Sequence, residues 1–268
     1  MLKDITLGQF FPGDSFVHRL DPRTKLIMVI LYIVALFVAA NWISYLVVFI
    51  FLAVSIKIST ISLKTITRGM KPVLMIVVFT GILNLFFTPG DYYMVEIGFI
   101  HISNVGLHNA VFMVLRIMLL IMGTFLMTYT TSPISLTDGL ERLLGGLKKL
   151  HVPVHELAMM MSIALRFIPT LIEETDKIMS AQKARGADFE SGNLIQKAKA
   201  LFPILVPLFV CAFRRADELA TAMECRCYHG GEGRTKLHVL KYESRDYVAL
   251  VLGALVLALI LVLRRFGI

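Results

Sequence analysis

The sequence predicts an all-α, polytopic membrane protein with about five transmembrane helices and a charged helical module inserted before the last span. Three observations predict it. First, 57% of the 268 residues are hydrophobic and only 17% charged, with a mean hydropathy of +0.75, a level that soluble domains rarely reach. Second, apolar runs of bilayer length alternate with short polar segments. Third, the charges are segregated: residues 133–246 hold sixteen of the twenty-seven bases and fourteen of the nineteen acids, so this stretch is nearly neutral. The remainder carries eleven bases against five acids, a basic excess that suits the inner loops of a membrane protein and is too spread out for nucleic-acid binding.

Residues 1–25 form a polar segment of mixed charge with no apolar core before a small-residue cleavage site, so no cleavable signal is expected there. Pro12-Gly13 is a turn signal, and Asp21-Pro22 reads as an N-cap followed by a proline in the first helical position. Arg19, Arg23 and Lys25 flank the first apolar run and place the N-terminus in the cytoplasm.

Residues 26–132 hold four expected spans. Leu26 to Ile56 is apolar apart from Asn41-Trp42, and a single helix of that length would overrun a ~30 Å hydrocarbon core. Two helices, 26–40 and 43–57, fit better, with Trp42 and Tyr45 at an interface. The loop from Lys57 to Lys71 carries four bases and no acid and reads as cytoplasmic. Pro72 to Thr88 is the third span, ending at Pro89-Gly90. Asp91 to Asn109, with Asp91 and Glu96 but no Lys or Arg, marks the outer side. Leu107 to Thr130 is the fourth span. Its Arg116 is either a functional charge in the bundle interior or an arginine within snorkelling reach of the outer interface. The last span is Tyr247 to Leu263, within 247–268. Counting from a cytoplasmic N-terminus puts the C-terminus outside, against which Arg264 and Arg265 speak.

Within the insert, Leu136 to Leu150 reads as a short amphipathic helix stopped by Gly145-Gly146 or by Val152-Pro153. Two long helical runs follow, Val154 to Lys183 and Leu194 to Tyr228, with charges at helical spacing that argue against simple lipid-facing spans. Pro169 is expected to kink the first, and Pro203 and Pro207 to bend the second. Gly230-Gly231 and Gly233 are expected to close it. The first run has an apolar face through Met160, Met161, Ala164, Leu165 and Ile168, which suits either an adaptable contact surface or core filling. Each run ends in an arginine with small neighbours, Arg185 and Arg226. Such an arginine caps its helix dipole or reaches into an acidic groove of a partner, and the two helices crossing would present both ends at one partner face.

These residues also resemble a known family. Arg166-Phe167-Ile168-Pro169 with Glu173-Glu174, then Ala184-Arg185-Gly186, then Ala222-Met223-Glu224-Cys225-Arg226-Cys227-Tyr228, are similar to the T component of energy-coupling factor transporters. Leu20-Asp21-Pro22-Arg23-Thr24-Lys25 after Pro12-Gly13 resembles the start of that family, and the resemblance covers essentially the whole chain. It implies a non-enzymatic scaffold in the cell membrane that couples two cytoplasmic ABC-type ATPases to a small substrate-binding membrane subunit (the S component) for vitamin or micronutrient uptake. Residues 133–246 would then be a cytoplasmic coupling-helix module. The chain itself would bind no cofactor, ATP and magnesium being held by the ATPases. The family's two Ala-Arg-Gly tips dock on the ATPases; the first maps unchanged onto Ala184, Arg185 and Gly186. The second maps onto Cys225, Arg226 and Cys227, keeping the arginine and changing both neighbours. Met160, Met161, Ala164, Leu165 and Ile168 would contact the substrate-binding subunit.

The sequence offers little to competing classes. Three cysteines, Cys211, Cys225 and Cys227, suggest no disulfide framework. Cys225, Cys227 and His229 fall short of a structural zinc pattern. His151 and His155 lack the HExxH context, and neither a P-loop nor a Gly-x-Ser-x-Gly elbow is present. A self-contained secondary transporter with a regulatory insert would need acids in its spans, and spans 26–57, 72–88, 107–130 and 247–263 have none.

Overall fold

A computed structural model describes residues 10–89, 93–97, 100–187, 189, 193–230 and 239–266. Among the described residues the regular structure is helical apart from one hairpin. Its elements are α1 (Pro22–Val38), α2 (Trp42–Ser59), α3 (Leu63–Phe87), β1 (Tyr93–Ile97), β2 (Ile100–Ser103), α4 (Asn104–Thr130), α5 (Pro133–Leu143), α6 (Val154–Ala184), α7 (Leu194–Glu224) and α8 (Ser244–Phe266). A 3₁₀ turn, Leu144–Leu150, follows α5. The expected turn at Gly90, the acid Asp91 and the closing glycines Gly231 and Gly233 lie outside the described residues.

By length and composition five helices are able to cross a membrane: α2, α3, α4, α6 and α8. The number matches the sequence expectation and the membership differs. At 17 residues and about 26 Å, α1 lies at the short end of the spanning range, whereas α6, expected as part of the charged insert, contains a long enough apolar window.

Three boundaries also move. The supposed loop 57–71 is mostly the start of α3, because Ser62 caps it by accepting the Thr65 backbone N–H (3.3 Å); Pro72 then lies inside a continuous helix. The segment expected on the outer side has regular structure in its described residues. It contains the antiparallel β1–β2 hairpin, with Ile97 opposite Ile100 and a bulge between Tyr93 and Val95. The amphipathic helix ends at Leu143 and tightens to 3₁₀ through Gly145 and Gly146, stopping at His151 in the left-handed region (φ 59°).

The chain divides into two compact units, one of residues 8–140 with 240–268 and the other centred on residues 141–239. In the first, α1 packs against α8, α4 and α2, and α3 lies along α4. The core runs through Tyr32, Leu36, Val48, Leu52, Leu119, Leu126 and Tyr129. Because apolar surface gains little by leaving lipid for protein, such helices associate by close approach over small residues. Two glycines flank α1 in this way: a Cβ on Gly123 would sit 2.4 Å from Tyr32, and one on Gly253 would sit 2.6 Å from Met28. The Tyr32 hydroxyl, buried over Gly123, donates to the Leu119 carbonyl at 2.7 Å.

A polar knot ties the starts of α1 and α8. Asp21 caps α1 as expected, accepting the Arg23 backbone N–H at 2.9 Å and the Arg23 guanidinium at 2.8 and 3.0 Å. Buried Asp246, in the first turn of α8, accepts the backbone N–H groups of Asp21 and Glu243, both at 2.8 Å. Lys25 donates to the carbonyls of His18 (3.1 Å) and Thr130 (2.8 Å), and burial pushes its ammonium down to about 8 despite the nearby carboxylates Asp246 and Asp21.

Candidate partner interface

In the second unit α6 and α7, 31 residues each, pack against one another. Their direction follows from two contacts. Arg215 Nη2 meets Glu174 Oε2 at 2.9 Å, and Gln182 Nε2 donates to the Pro203 carbonyl at 3.3 Å. Moving forward on α6 moves backward on α7, so the pair is antiparallel. Only residues 185–193 connect the helices, and so short a link obliges the second to reverse. Both helices run on through their prolines, Pro169 in α6 and Pro203 and Pro207 in α7.

The two arginines therefore lie at opposite ends of the helix pair. Each lies eleven residues past the Glu174–Arg215 bridge in its own helix, about 16 Å along the axis, and in opposite directions. The arrangement holds the two tips apart.

The tips share one construction. At the end of α6, Gly186 N–H bonds the Lys183 carbonyl (3.0 Å) and Ala187 N–H the Gln182 carbonyl (3.0 Å), with Gly186 left-handed at φ 86°. After α7, Cys227 N–H bonds the Glu224 carbonyl (2.8 Å) and Tyr228 N–H the Met223 carbonyl (3.1 Å), with Cys227 left-handed at φ 56°. Both are Schellman caps, and in both the arginine immediately precedes the left-handed residue. The α7 cap thus closes at Cys227, earlier than the expected glycines. Ala184, Arg185 and Gly186 are exposed, as are Cys225, Arg226 and Cys227.

Of the expected apolar face, Met160, Met161 and Ala164 are exposed, while Leu165 and Ile168 are half-buried. The first half of α7, Leu201 to Phe213, which the sequence makes apolar enough to dip into a membrane, carries a second stripe: Phe202, Val206, Phe209 and Phe213 are all exposed, at steps of three and four residues that mark one helix face. The periodicity was available in the sequence but was masked by apolar neighbours at nearly every position between. His155 is taken up by Glu141, Nδ1 to Oε1 at 3.0 Å. His229 Nδ1 lies 2.8 Å from the Cys227 carbonyl.

Arg116 has structural partners. Its Nε donates to the Tyr45 hydroxyl (2.9 Å) and its Nη2 to the carbonyl of Ala39 (3.3 Å), the C-cap of α1. It places a cation at a helix C-terminus, where the dipole favours one.

The span-length helices define a multi-pass membrane protein. The chain belongs to the family described as "Cobalt transport protein" (CbiQ), which it matches over residues 13–237. It is similar to the "Energy-coupling factor transporter transmembrane protein EcfT" of Clostridium kluyveri, 55% identical over 266 residues covering 99% of this chain and 98% of that one. The proteins of the same description from Bacillus subtilis (48% over 261 residues, 97% and 98% covered) and Lactococcus lactis (46% over 262 residues, 98% of each) are similar to it as well.

Proposed function

We propose that this chain is the non-enzymatic membrane scaffold of an energy-coupling factor transporter. It couples two cytoplasmic ABC-type ATPases, which hold the ATP and magnesium, to a small membrane subunit that binds a vitamin or micronutrient. The observation that carries this reading is the repeated tip: two exposed arginines, on matching caps, at opposite ends of one antiparallel helix pair. Two equivalent, separated contacts suit two equivalent partners. Each guanidinium is a planar fork able to bond carboxylates or carbonyls in an ATPase groove.

The apolar stripes of α6 and α7 form the surface for the substrate-binding subunit. Although α6 is long enough to span, Arg166, Glu173, Glu174, Asp176 and Lys177 make burial of its middle in hydrocarbon costly, so it lies along the cytoplasmic membrane surface. The N-terminus is cytoplasmic, as the bases before α1 require. When the ATPases close, the tips move with them and the apolar faces change their grip on the substrate-binding subunit. This differential contact is what makes the scaffold a coupling device.

A secondary transporter would need a carboxylate free to load and release an ion. Among the described residues the buried carboxylates are Asp21 and Asp246, and both are spent on helix starts. A cavity of about 480 Å³ among α1, α2, α4 and α8 is lined by apolar side chains. Its one charged lining residue, Lys25, is committed to two carbonyls. Reconstitution into proteoliposomes with the ATPases and a substrate-binding subunit tests the reading. Uptake that requires ATP inside the ATPase-facing compartment supports it; uptake by the chain alone, driven by an ion gradient, overturns it.

A further inference from the structure

The C-terminal turns of α6 and α7 repeat one another. Residues 41 apart correspond: Asp176-Lys177-Ile178-Met179-Ser180-Ala181 leads to Arg185 as Asp217-Glu218-Leu219-Ala220-Thr221-Ala222 leads to Arg226. Local bonding repeats at the same offset. Ser180 Oγ donates to the Asp176 carbonyl (2.7 Å), and Thr221 Oγ1 donates to the Asp217 carbonyl (2.9 Å). The Schellman bonds of the two tips repeat it again.

At this offset Glu174 corresponds to Arg215, and these are the residues that touch. In an antiparallel pair, equivalent positions meet only on the local two-fold axis. The bridge therefore marks the point about which the two arms are symmetric. At this point α6 carries Glu173-Glu174 where α7 carries Arg214-Arg215, so the arms attract here instead of repelling. The bridge is partly buried, with the Arg215 side chain 33% and the Glu174 side chain 24% exposed.

We propose that the Glu174–Arg215 pair is the pivot of the arms: a positioning contact that fixes where they cross, so that displacement of one tip is transmitted to the other instead of being lost as sliding. This rests on the scaffold reading above, in which the tips are moved by the ATPases. A contact on the axis is the one place that stays closed while both tips swing, and an ion pair tolerates rotation better than an interdigitated apolar contact.

The test uses the full complex in proteoliposomes and measures substrate taken up per ATP hydrolysed, together with ATPase content. Glu174→Arg and Arg215→Glu should each retain both ATPases and hydrolysis while uptake per ATP falls about tenfold, and the exchanged pair Glu174→Arg/Arg215→Glu should recover most of the loss. Glu174→Gln, isosteric and uncharged, should lose about threefold and decides the matter if the reversals assemble poorly. Unchanged uptake per ATP in Glu174→Gln and the reversals overturns the pivot, as does an exchanged pair that assembles yet couples no better than the single reversals. Failure of the scaffold reading looks different: the wild-type complex would then lack ATPases, or its uptake would ignore ATP.

Discussion

Cys227 sits at φ 56°, where an L-side chain crowds its own backbone, yet it fills the position that Gly186 fills in the other tip. Left-handed geometry costs a non-glycine residue about 1–2 kcal/mol, so Cys227→Gly should strengthen the α7 cap by about 1 kcal/mol and Gly186→Ala should weaken the α6 cap by about as much. Hydrogen exchange at the amides of residues 225–228 should slow in Cys227→Gly, and the amides of residues 185–187 should exchange faster in Gly186→Ala. The pattern Ala-Arg-Gly was legible in the sequence, whereas the strain at Cys227 was not, because a cysteine gives no sign of the backbone it adopts.

Lys25 makes a pH-dependent contribution whose sign is fixed by its depressed value. The unfolded ammonium titrates near its ordinary 10.5 and the folded one at about 8, so between these values the unfolded chain holds more protons and stability rises with pH. Burial thus costs most below pH 8 and is relieved as pH approaches 10.5. The difference in Tm between wild type and Lys25→Met should shift in favour of wild type across that window; a constant difference would contradict the assignment. Asp246→Ala strands two backbone N–H donors and should cost on the order of 3 kcal/mol, read as a lowered midpoint of thermal unfolding. Asp246 was passed over in the sequence because it stands in a run of charges, with nothing local to show that its partner is 225 residues away.

At the scale of elements, α1 depends on smooth neighbours. Gly123→Leu would drive a side chain into Tyr32, separate α1 from α4 and break the Tyr32–Leu119 bond, so its yield of folded protein in detergent should drop well below that of Leu→Ala changes on the exposed faces. Helix existence was legible from apolar run length, and the start of α1 from Asp21-Pro22. Two features were not. The beginning of α3 was hidden because its first turns carry Lys64, Arg68 and Lys71, which read as a loop although Ser62 supplies a good cap. The hairpin of β1 and β2 was hidden because a short outer segment between spans gives no alternation clear enough to stand against a loop. The set of span-capable helices shifted for a related reason: length and composition admit α6, and only the chemistry of its interior charges argues for the membrane surface.

For the whole molecule, the sequence carried the tips, their arginines and the family resemblance, and the chain's membership of the family follows from a match over most of its length. What it could not supply was the relation between the tips. Two helices ending in arginine suggested convergence; the contacts of Glu174 with Arg215 and of Gln182 with Pro203 show them antiparallel, with the tips on opposite sides of the crossing. That geometry separates the two tips, and the central claim is the proposal that each docks one ATPase. The direct measurement is affinity purification of this chain from native membranes, comparing wild type with Arg185→Glu, Arg226→Glu and the double variant at matched expression. The account predicts two ATPase subunits with wild type, partial loss with either single variant and none with the double. Full ATPase content in the double variant would contradict it and return both arginines to the role of helix caps.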